Sequence, residues 1–109
     1  MLKRDGEVSD QDLEQLSSLF RLLSDKTRLS ILLKLADGER NVTSLCADLQ
    51  LPQPTVSHHL GLLRMNNVVG NRRSGKQVFY TLNSNTDSDG TVMEFMVQNL
   101  LVNVRQRQR

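Results

Sequence analysis

Two prolines near the middle of this 109-residue chain restrict what the segment around them can form. Pro52 and Pro54 interrupt a helix that enters from upstream, but a missing N–H costs little in a first helical turn. Beyond them, Val56, Leu60 and Leu63 recur at helical spacing. The segment therefore predicts a helix that begins at the prolines and packs this apolar stripe against a core.

The other faces of this helix carry short polar groups and one cation. These residues are Gln53, Thr55, Ser57, His58, His59 and Arg64. Polar side chains near the N-terminus of an exposed helix suit a DNA major groove, whose base edges offer donors and acceptors, and the helix N-terminus favours phosphate. The pattern predicts a recognition helix, with metal chelation disfavoured because the adjacent histidines point about 100° apart.

A basic hairpin is predicted to follow the helix. Val68 and Val69 and the segment 78–82 have strand composition, and Gly75 supplies the positive backbone angle of a tight turn. Three cations lie at the tip: Arg72, Arg73 and Lys76. A phosphate backbone is a natural counter-charge for them, although cations on a surface are also commonly just solvated.

Charge is distributed unevenly along the chain. The formal net charge is only +2, but residues 49–86 contain four bases and no Asp or Glu. This segment, whose charges are all positive, coincides with the predicted helix and hairpin and therefore favours an anionic partner. We expect its cations to bind DNA rather than only to be solvated.

Length and composition predict one domain spanning residues 1–109, small enough for a second chain to add stability. The single cysteine, Cys46, excludes an intrachain disulfide and a multi-cysteine metal site. No signal peptide is visible, and no apolar run approaches the roughly 20 residues that span a bilayer. We therefore expect a cytoplasmic protein.

Two helices are predicted before the prolines, after a flexible arm over residues 1–8. Ser9 or Asp10 caps the first, whose apolar stripe contains Leu13, Leu16, Phe20 and Leu23. Ser24-Asp25 caps the second, over residues 26–36, and Asp37-Gly38 ends it. Its apolar residues are expected to be mostly buried: Leu29, Ile31, Leu32, Leu33 and Leu35.

A short third helix completes the predicted fold. Val42 is expected in a short strand, and Thr43 caps a helix that runs through Leu49 and turns Leu45 and Cys46 inward. With the proline-opened helix this makes a helix-turn-helix over residues 43–66, and residues 68–82 add a wing. The fold class is mainly α with a small β-hairpin, a winged helix-turn-helix in the order α1-α2-α3-α4-β-β-α5.

The last predicted element is a dimerisation helix over residues 91–105, after a polar loop at 83–90. Its apolar residues spread around more than one face, so part of them is expected to bury against a second copy. The predicted homodimer uses the first and last helices: Leu13, Leu16, Phe20, Met93, Met96, Val97, Leu100, Leu101 and Val104. A small apolar effector between the last helices remains an alternative.

Three segments together resemble the ArsR/SmtB family of dimeric winged-helix transcriptional repressors: LLSDKTRLSILLKL, PTVSHHLGLLR and RRSGKQVFYTL. The resemblance covers roughly residues 16–82. It implies a repressor that binds an inverted-repeat operator as a dimer. It also places groove contacts on Gln53, Thr55, Ser57 and His58, and wing contacts on Arg72, Arg73 and Lys76.

The sensing chemistry of that family is not matched. Members place cysteine ligands in a segment that aligns with residues 39–43, where this chain has ERNVT. A second family site needs Asp and His pairs on the last helix, where no histidine occurs. Carboxylates alone do not select zinc. We predict no metal at either site and no cofactor, and the sequence names no effector.

The sequence leaves other functions open. The chain could be a non-specific architectural DNA binder or a winged-helix module that binds a protein. A thiol-based redox repressor through Cys46 is a further alternative, although an inert buried thiol is favoured. No nucleophile-base arrangement, phosphate-binding glycine loop or metal set is visible, so we do not expect an enzyme.

Overall fold

The computed structural model describes residues 9–83, 92–97 and 100–105. The arm predicted at 1–8 lies outside these ranges, and so does the loop predicted at 83–90 except for Asn83. The elements are α1 (Asp10–Leu23), α2 (Lys26–Ala36), β1 (Arg40–Asn41), α3 (Val42–Leu49), α4 (Gln53–Met65), β2 (Val69–Ser74), β3 (Gln77–Leu82), β4 (Val92–Val97) and β5 (Leu100–Arg105). In the described part of the chain, no helix is both long and apolar enough to cross a bilayer.

Side-chain caps set the starts of the first two helices, as predicted. The Ser9 hydroxyl accepts from the Asp12 N–H at 3.1 Å, and the Asp12 carboxylate accepts from the Ser9 N–H at 3.2 Å. This reciprocal pair is a capping box. At α2, the Asp25 carboxylate accepts from the Arg28 N–H at 2.9 Å. Both helices therefore begin where a short polar side chain satisfies a free backbone donor.

The start of α3 differs from the prediction. The N-cap is Asn41, not Thr43, because the Asn41 Oδ1 atom accepts from the Ser44 N–H at 2.7 Å. Val42 consequently lies in the helix, and the short strand expected there is formed by Arg40 and Asn41 instead. The helix ends at Leu49, as expected, and Gln50 follows with a left-handed φ of 55°.

The core lies beneath α4. Val56, Leu60 and Leu63 are all 0% exposed, which confirms the predicted stripe. The other buried apolar residues are Leu19, Leu23, Ile31, Leu32, Leu35, Leu45, Val68 and Val69. The expectation that α2 is mostly buried is wrong for Leu29 and Leu33, which are 40% and 59% exposed because they lie on the side of α2 away from the core.

A three-stranded antiparallel sheet, in the order β1-β3-β2, carries the wing. The β2–β3 register pairs Val69 with Leu82 at the base and Ser74 with Gln77 at the tip. One face of the hairpin packs Tyr80 and Leu82 against the core. The predicted wing is therefore present, and β1 joins it by pairing with β3.

The predicted last helix is wrong: the chain forms β4 and β5 there, an antiparallel pair in which Val92 faces Arg105 and Val97 faces Leu100. The two strands contain four valines and a phenylalanine, and such β-branched and aromatic residues favour strands over helices. A helix over residues 91–105 would have apolar residues on every side, and this pattern also indicates strands. The structure does not describe the side chains of six expected interface residues: Met93, Met96, Val97, Leu100, Leu101 and Val104.

Candidate nucleic-acid interface

The face of α4 opposite the core is polar and accessible. Gln53, Ser57 and His58 are exposed and Thr55 is half-buried. At 3.6 residues per turn, Ser57 and Arg64 share one side of the helix, and His58 lies beside them on the side away from Leu60. Four of the side chains predicted to read DNA therefore lie together on the first turns of one helix, and Arg64 extends the row toward its C-terminal end.

His59 has a different environment from its neighbour His58. Its Nδ1 atom is 3.3 Å from Arg28 Nη1 and 3.9 Å from the Asp25 carboxylate. Arg28 also donates from Nε to the Leu22 carbonyl at 2.6 Å. His59 therefore links α4 to the α1–α2 connection through its contacts with Arg28 and Asp25, while His58 stays accessible.

The turn between α3 and α4 is held by backbone contacts and by the core. Leu51 N–H donates to the Cys46 carbonyl at 3.1 Å, and Pro52 supplies the extended residue that opens α4. Val56 and Leu45 anchor the two helices to the same core. The two helices of the helix-turn-helix are thus anchored to one core, and the second presents its outer face to solvent.

The wing ends in a tight turn. Gly75 has a φ of 62°, and Gly75 and Lys76 link Ser74 to Gln77, as the sequence predicted. Arg73 and Lys76 at this tip are exposed, and so is Arg64 on α4. Among the residues that the structure describes, none of these three cations forms an ion pair. They are available to an anion.

Arg72 has a counter-charge that the sequence pattern did not reveal. Its Nε and Nη2 atoms each donate to a different Glu39 carboxylate oxygen at 2.7 Å. These hydrogen bonds, helped by the guanidinium charge, lower the pKa of Glu39, and the carboxylate raises that of Arg72. The acid-free segment of sequence is therefore not an acid-free surface, since the fold brings Glu39 to the wing from 33 residues away.

Comparisons with known proteins decide the family. The family model described as "Bacterial regulatory protein, arsR family" matches residues 25–69. The arsenical resistance operon repressor of Staphylococcus aureus is 36% identical over 87 residues, which cover 80% of this chain and 78% of that protein. The chain belongs to the ArsR family. It spans only about half the length of two other curated relatives that it matches, 49% of one and 56% of the other.

Solved structures of similar proteins agree with this fold. HlyU from Vibrio cholerae superimposes with a TM-score of 0.67 at 34% identity, covering 70% of this chain and 83% of that one. The homodimeric winged helix-turn-helix DNA-binding domain Mb0332 from Mycobacterium bovis gives a TM-score of 0.62 at 30% identity, with coverages of 71% and 74%. The winged helix-turn-helix predicted from the sequence is confirmed.

The segment where the resemblance to the ArsR family places cysteine ligands has another role here. Arg40 pairs with Asp48, and Asn41 caps α3 while its Nδ2 donates to Gln77 Oε1 at 3.0 Å. In the part of the chain that the structure describes, no three His, Cys, Asp or Glu side chains are grouped as a metal site requires. Cys46 is half-buried and packs against the core.

Proposed function

We propose that this chain is a sequence-specific DNA-binding regulator that acts as a dimeric transcriptional repressor. The observation that carries the proposal is the polar outer face of α4, which is exposed while the opposite face is fully buried. Such a helix, held rigidly by a second helix, has the form that enters a major groove. Membership of the ArsR family and the repressor names of its relatives support the same function.

The contacts divide into two kinds. Gln53, Thr55, Ser57 and His58 would meet base edges in the groove. Arg64, Arg73 and Lys76 would meet phosphates, which position the protein without reading sequence. Arg72 differs from these three cations because Glu39 already occupies one edge of its guanidinium.

The dimer would form through α1 and the C-terminal strands. Leu13 and Phe20 are 54% and 55% exposed and lie on one face of α1 at i, i+7 spacing, and Leu16 is half-buried between them. β4 lies close to α1. The homodimeric state of Mb0332 supports a dimer, although not a particular interface. A two-fold axis would place two recognition helices about 34 Å apart, in successive major grooves of an inverted repeat.

Repression requires only that the dimer occupy a promoter, so no catalytic step is needed. Relatives of this chain are named as transcriptional regulators, and we assign it the same regulatory role rather than an enzymatic one. The proposal places the protein in the cytoplasm, where bacterial DNA is.

Fluorescence anisotropy with a labelled duplex from its own promoter tests the DNA-binding proposal. The titration is repeated with a shuffled duplex of the same composition. We expect tighter binding to the promoter duplex, and Ser57→Ala should reduce that preference. Ser18→Ala, at an exposed position of α1 away from the Leu13–Phe20 face, should leave it unchanged. Equal affinity for both duplexes would favour an architectural binder, and no binding to either would favour a protein-interaction module.

Sedimentation equilibrium tests the dimer. Phe20→Glu would bury a charge in the proposed interface, so it should shift the protein toward monomer and weaken promoter binding. Leu33→Glu is the matched control, because Leu33 is similarly exposed but lies on α2. A monomeric wild-type protein at micromolar concentration would contradict the proposal.

A further inference from the structure

We propose that Arg72 positions the wing and does not bind DNA phosphate, so that Arg73 and Lys76 supply the wing's phosphate contacts. The inference rests on the proposed DNA-binding function and refines its site. It separates two consecutive arginines that the sequence presents as equivalent.

The donor edge of Arg72 is already used. The Nε and Nη2 atoms form one edge of the guanidinium fork, and both donate to Glu39 at 2.7 Å. The same edge geometry is what makes bidentate contacts to phosphate strong. To bind phosphate through this edge, Arg72 would have to break both hydrogen bonds to Glu39.

The flat side of the same guanidinium is also in contact. The Arg72 Cζ atom lies 4.7 Å from the centroid of the Phe79 ring, and the two residues face each other in the β2–β3 register. Phe79 in turn faces Asn41 in the β1–β3 register. Arg72 therefore closes a row of side chains that crosses all three strands on one face of the sheet.

Arg73 lies on the other face. Successive residues of a strand point to opposite sides of the sheet, and Arg73 pairs with Val78 on the face that carries Tyr80. Within the described residues, Arg73 has no acidic partner, whereas Arg72 has Glu39. The two neighbours thus have different surroundings despite their adjacency.

A second contact ties the wing to the segment that contains Glu39. Asn41 donates to Gln77, near the wing tip, while its side-chain oxygen caps α3. Glu39–Arg72 and Asn41–Gln77 therefore link both wing strands to the start of the helix-turn-helix. The orientation of the wing relative to α4 depends on these links, so Arg72 affects DNA affinity through geometry.

Charge-conserving substitutions separate positioning from phosphate binding. Lysine keeps the positive charge but loses the fork and the stacking of arginine. We expect Arg72→Lys to weaken promoter binding about two- to five-fold for each wing on the DNA. Arg72→Gln should weaken it by a similar factor. At Arg73, Lys should bind almost as wild type and only Gln should weaken binding. Wild-type affinity for Arg72→Lys would overturn the proposal.

The dependence of affinity on salt gives a second readout. If Arg72 bound phosphate in both protomers, Arg72→Gln would make the slope of log K against log salt shallower by about 1.8. We expect that change for Arg73→Gln and an unchanged slope for Arg72→Gln. A shallower slope for Arg72→Gln would contradict the positioning role.

The sharpest test is whether a substitution of Glu39 raises or lowers DNA affinity. Removing an acid near DNA generally strengthens binding, so Asp37→Asn, an exposed acid two residues earlier, measures that general effect. Glu39→Gln should bind DNA more weakly than Asp37→Asn, because a glutamine amide offers Arg72 only one acceptor oxygen and no charge. Binding as tight as that of Asp37→Asn, or tighter, would overturn the proposal by showing that Glu39 does not support the wing or that it competes with phosphate.

Amide hydrogen exchange without DNA distinguishes failure of this inference from failure of the proposed function. Glu39→Gln, Arg72→Lys and Arg72→Gln should each speed exchange of the hydrogen-bonded amides of β2 and β3, and Arg73→Gln should not. Unchanged exchange in all three variants would overturn the positioning role. If the wild type bound no DNA, exchange alone would still decide whether Arg72 holds the wing.

Discussion

Arg28 of α2 contacts His59 of α4, with 3.3 Å between Nη1 and Nδ1. An arginine can only donate, so His59 Nδ1 accepts, which places the proton of a neutral ring on Nε2. The contact joins the recognition helix to the end of α1, because Arg28 also donates to the Leu22 carbonyl. Of the two adjacent histidines, only the one that is half-buried serves this structural purpose.

His59→Ala should therefore destabilise the fold and disturb the placement of α4. Loss of one hydrogen bond and its packing is worth about 1 kcal/mol of unfolding free energy. His58→Ala, at an exposed position, should change stability by less than about 0.5 kcal/mol while altering DNA preference. Urea denaturation measures the first effect and anisotropy the second. If His58→Ala lowered stability and His59→Ala changed only DNA preference, the roles of the two histidines would be exchanged.

The pKa of Asp25 is lowered below its ordinary value of 3.8, chiefly because the Arg28 N–H donates to the carboxylate, with the charge of Arg28 adding to the effect. A lowered pKa means that the carboxylate stabilises the fold above about pH 4 and that this contribution is lost as the pH falls through the folded-state pKa. Asn at this position keeps a cap but cannot titrate.

The stability difference between wild type and Asp25→Asn should therefore shrink from pH 7 to pH 3. Asp25→Ala should be less stable than Asp25→Asn at both values, because it has no cap. Chemical denaturation at the two pH values measures both differences. A gap between wild type and Asp25→Asn that stays constant with pH would show that the charge of Asp25 does not contribute.

Gln50 ends α3 in the left-handed conformation, with a φ of 55°. A side chain with a Cβ atom is strained there and glycine is not. Gln50→Gly should raise the unfolding free energy by up to about 1 kcal/mol, although glycine gains flexibility in the unfolded chain. Gln50→Ala keeps the Cβ atom and should give no such gain. Thermal denaturation compares the two, and equal stability would show that this turn is not strained.

Leu60 is fully buried on the inner face of α4. Leu60→Ala should cost about 2–5 kcal/mol, since it removes apolar contacts and leaves a cavity under the recognition helix. Leu62→Ala, at a half-buried position on the same helix, should cost clearly less. Denaturant titration gives both values. Similar costs for the two variants would mean that the core does not lie beneath Leu60.

Local sequence signals predicted much of the fold correctly. Asp25 and Gly38 bracket α2 at the expected residues, and Gly75 has the positive φ that the hairpin required. These features depend on a few neighbouring residues whose chemistry dictates backbone conformation. The exposed polar face of α4 was equally predictable, because about half a helical turn separates it from Val56 and Leu60.

Other features were not accessible to such signals. The choice of Asn41 over Thr43 as a cap depends on which of two similar residues meets a free N–H. Apolar density over residues 91–105 favours a helix, but the strand preference of its valines is stronger, and β4 and β5 form there. The Glu39–Arg72 pair joins residues 33 positions apart, so only the folded chain reveals it. These features depend on competition between similar residues or preferences, or on contacts between distant residues, and composition alone does not determine them.

Selection of bound duplexes from a random DNA library tests the central claim, that the outer face of α4 reads sequence, most directly. The purified protein should enrich an inverted repeat with half-site centres about 10–10.5 base pairs apart. Ser57→Ala and His58→Ala should enrich altered half-sites, while Arg73→Ala should enrich the wild-type sequence with lower recovery. Recovery of random sequence by the wild-type protein, or the same half-site from all three variants, would contradict the account.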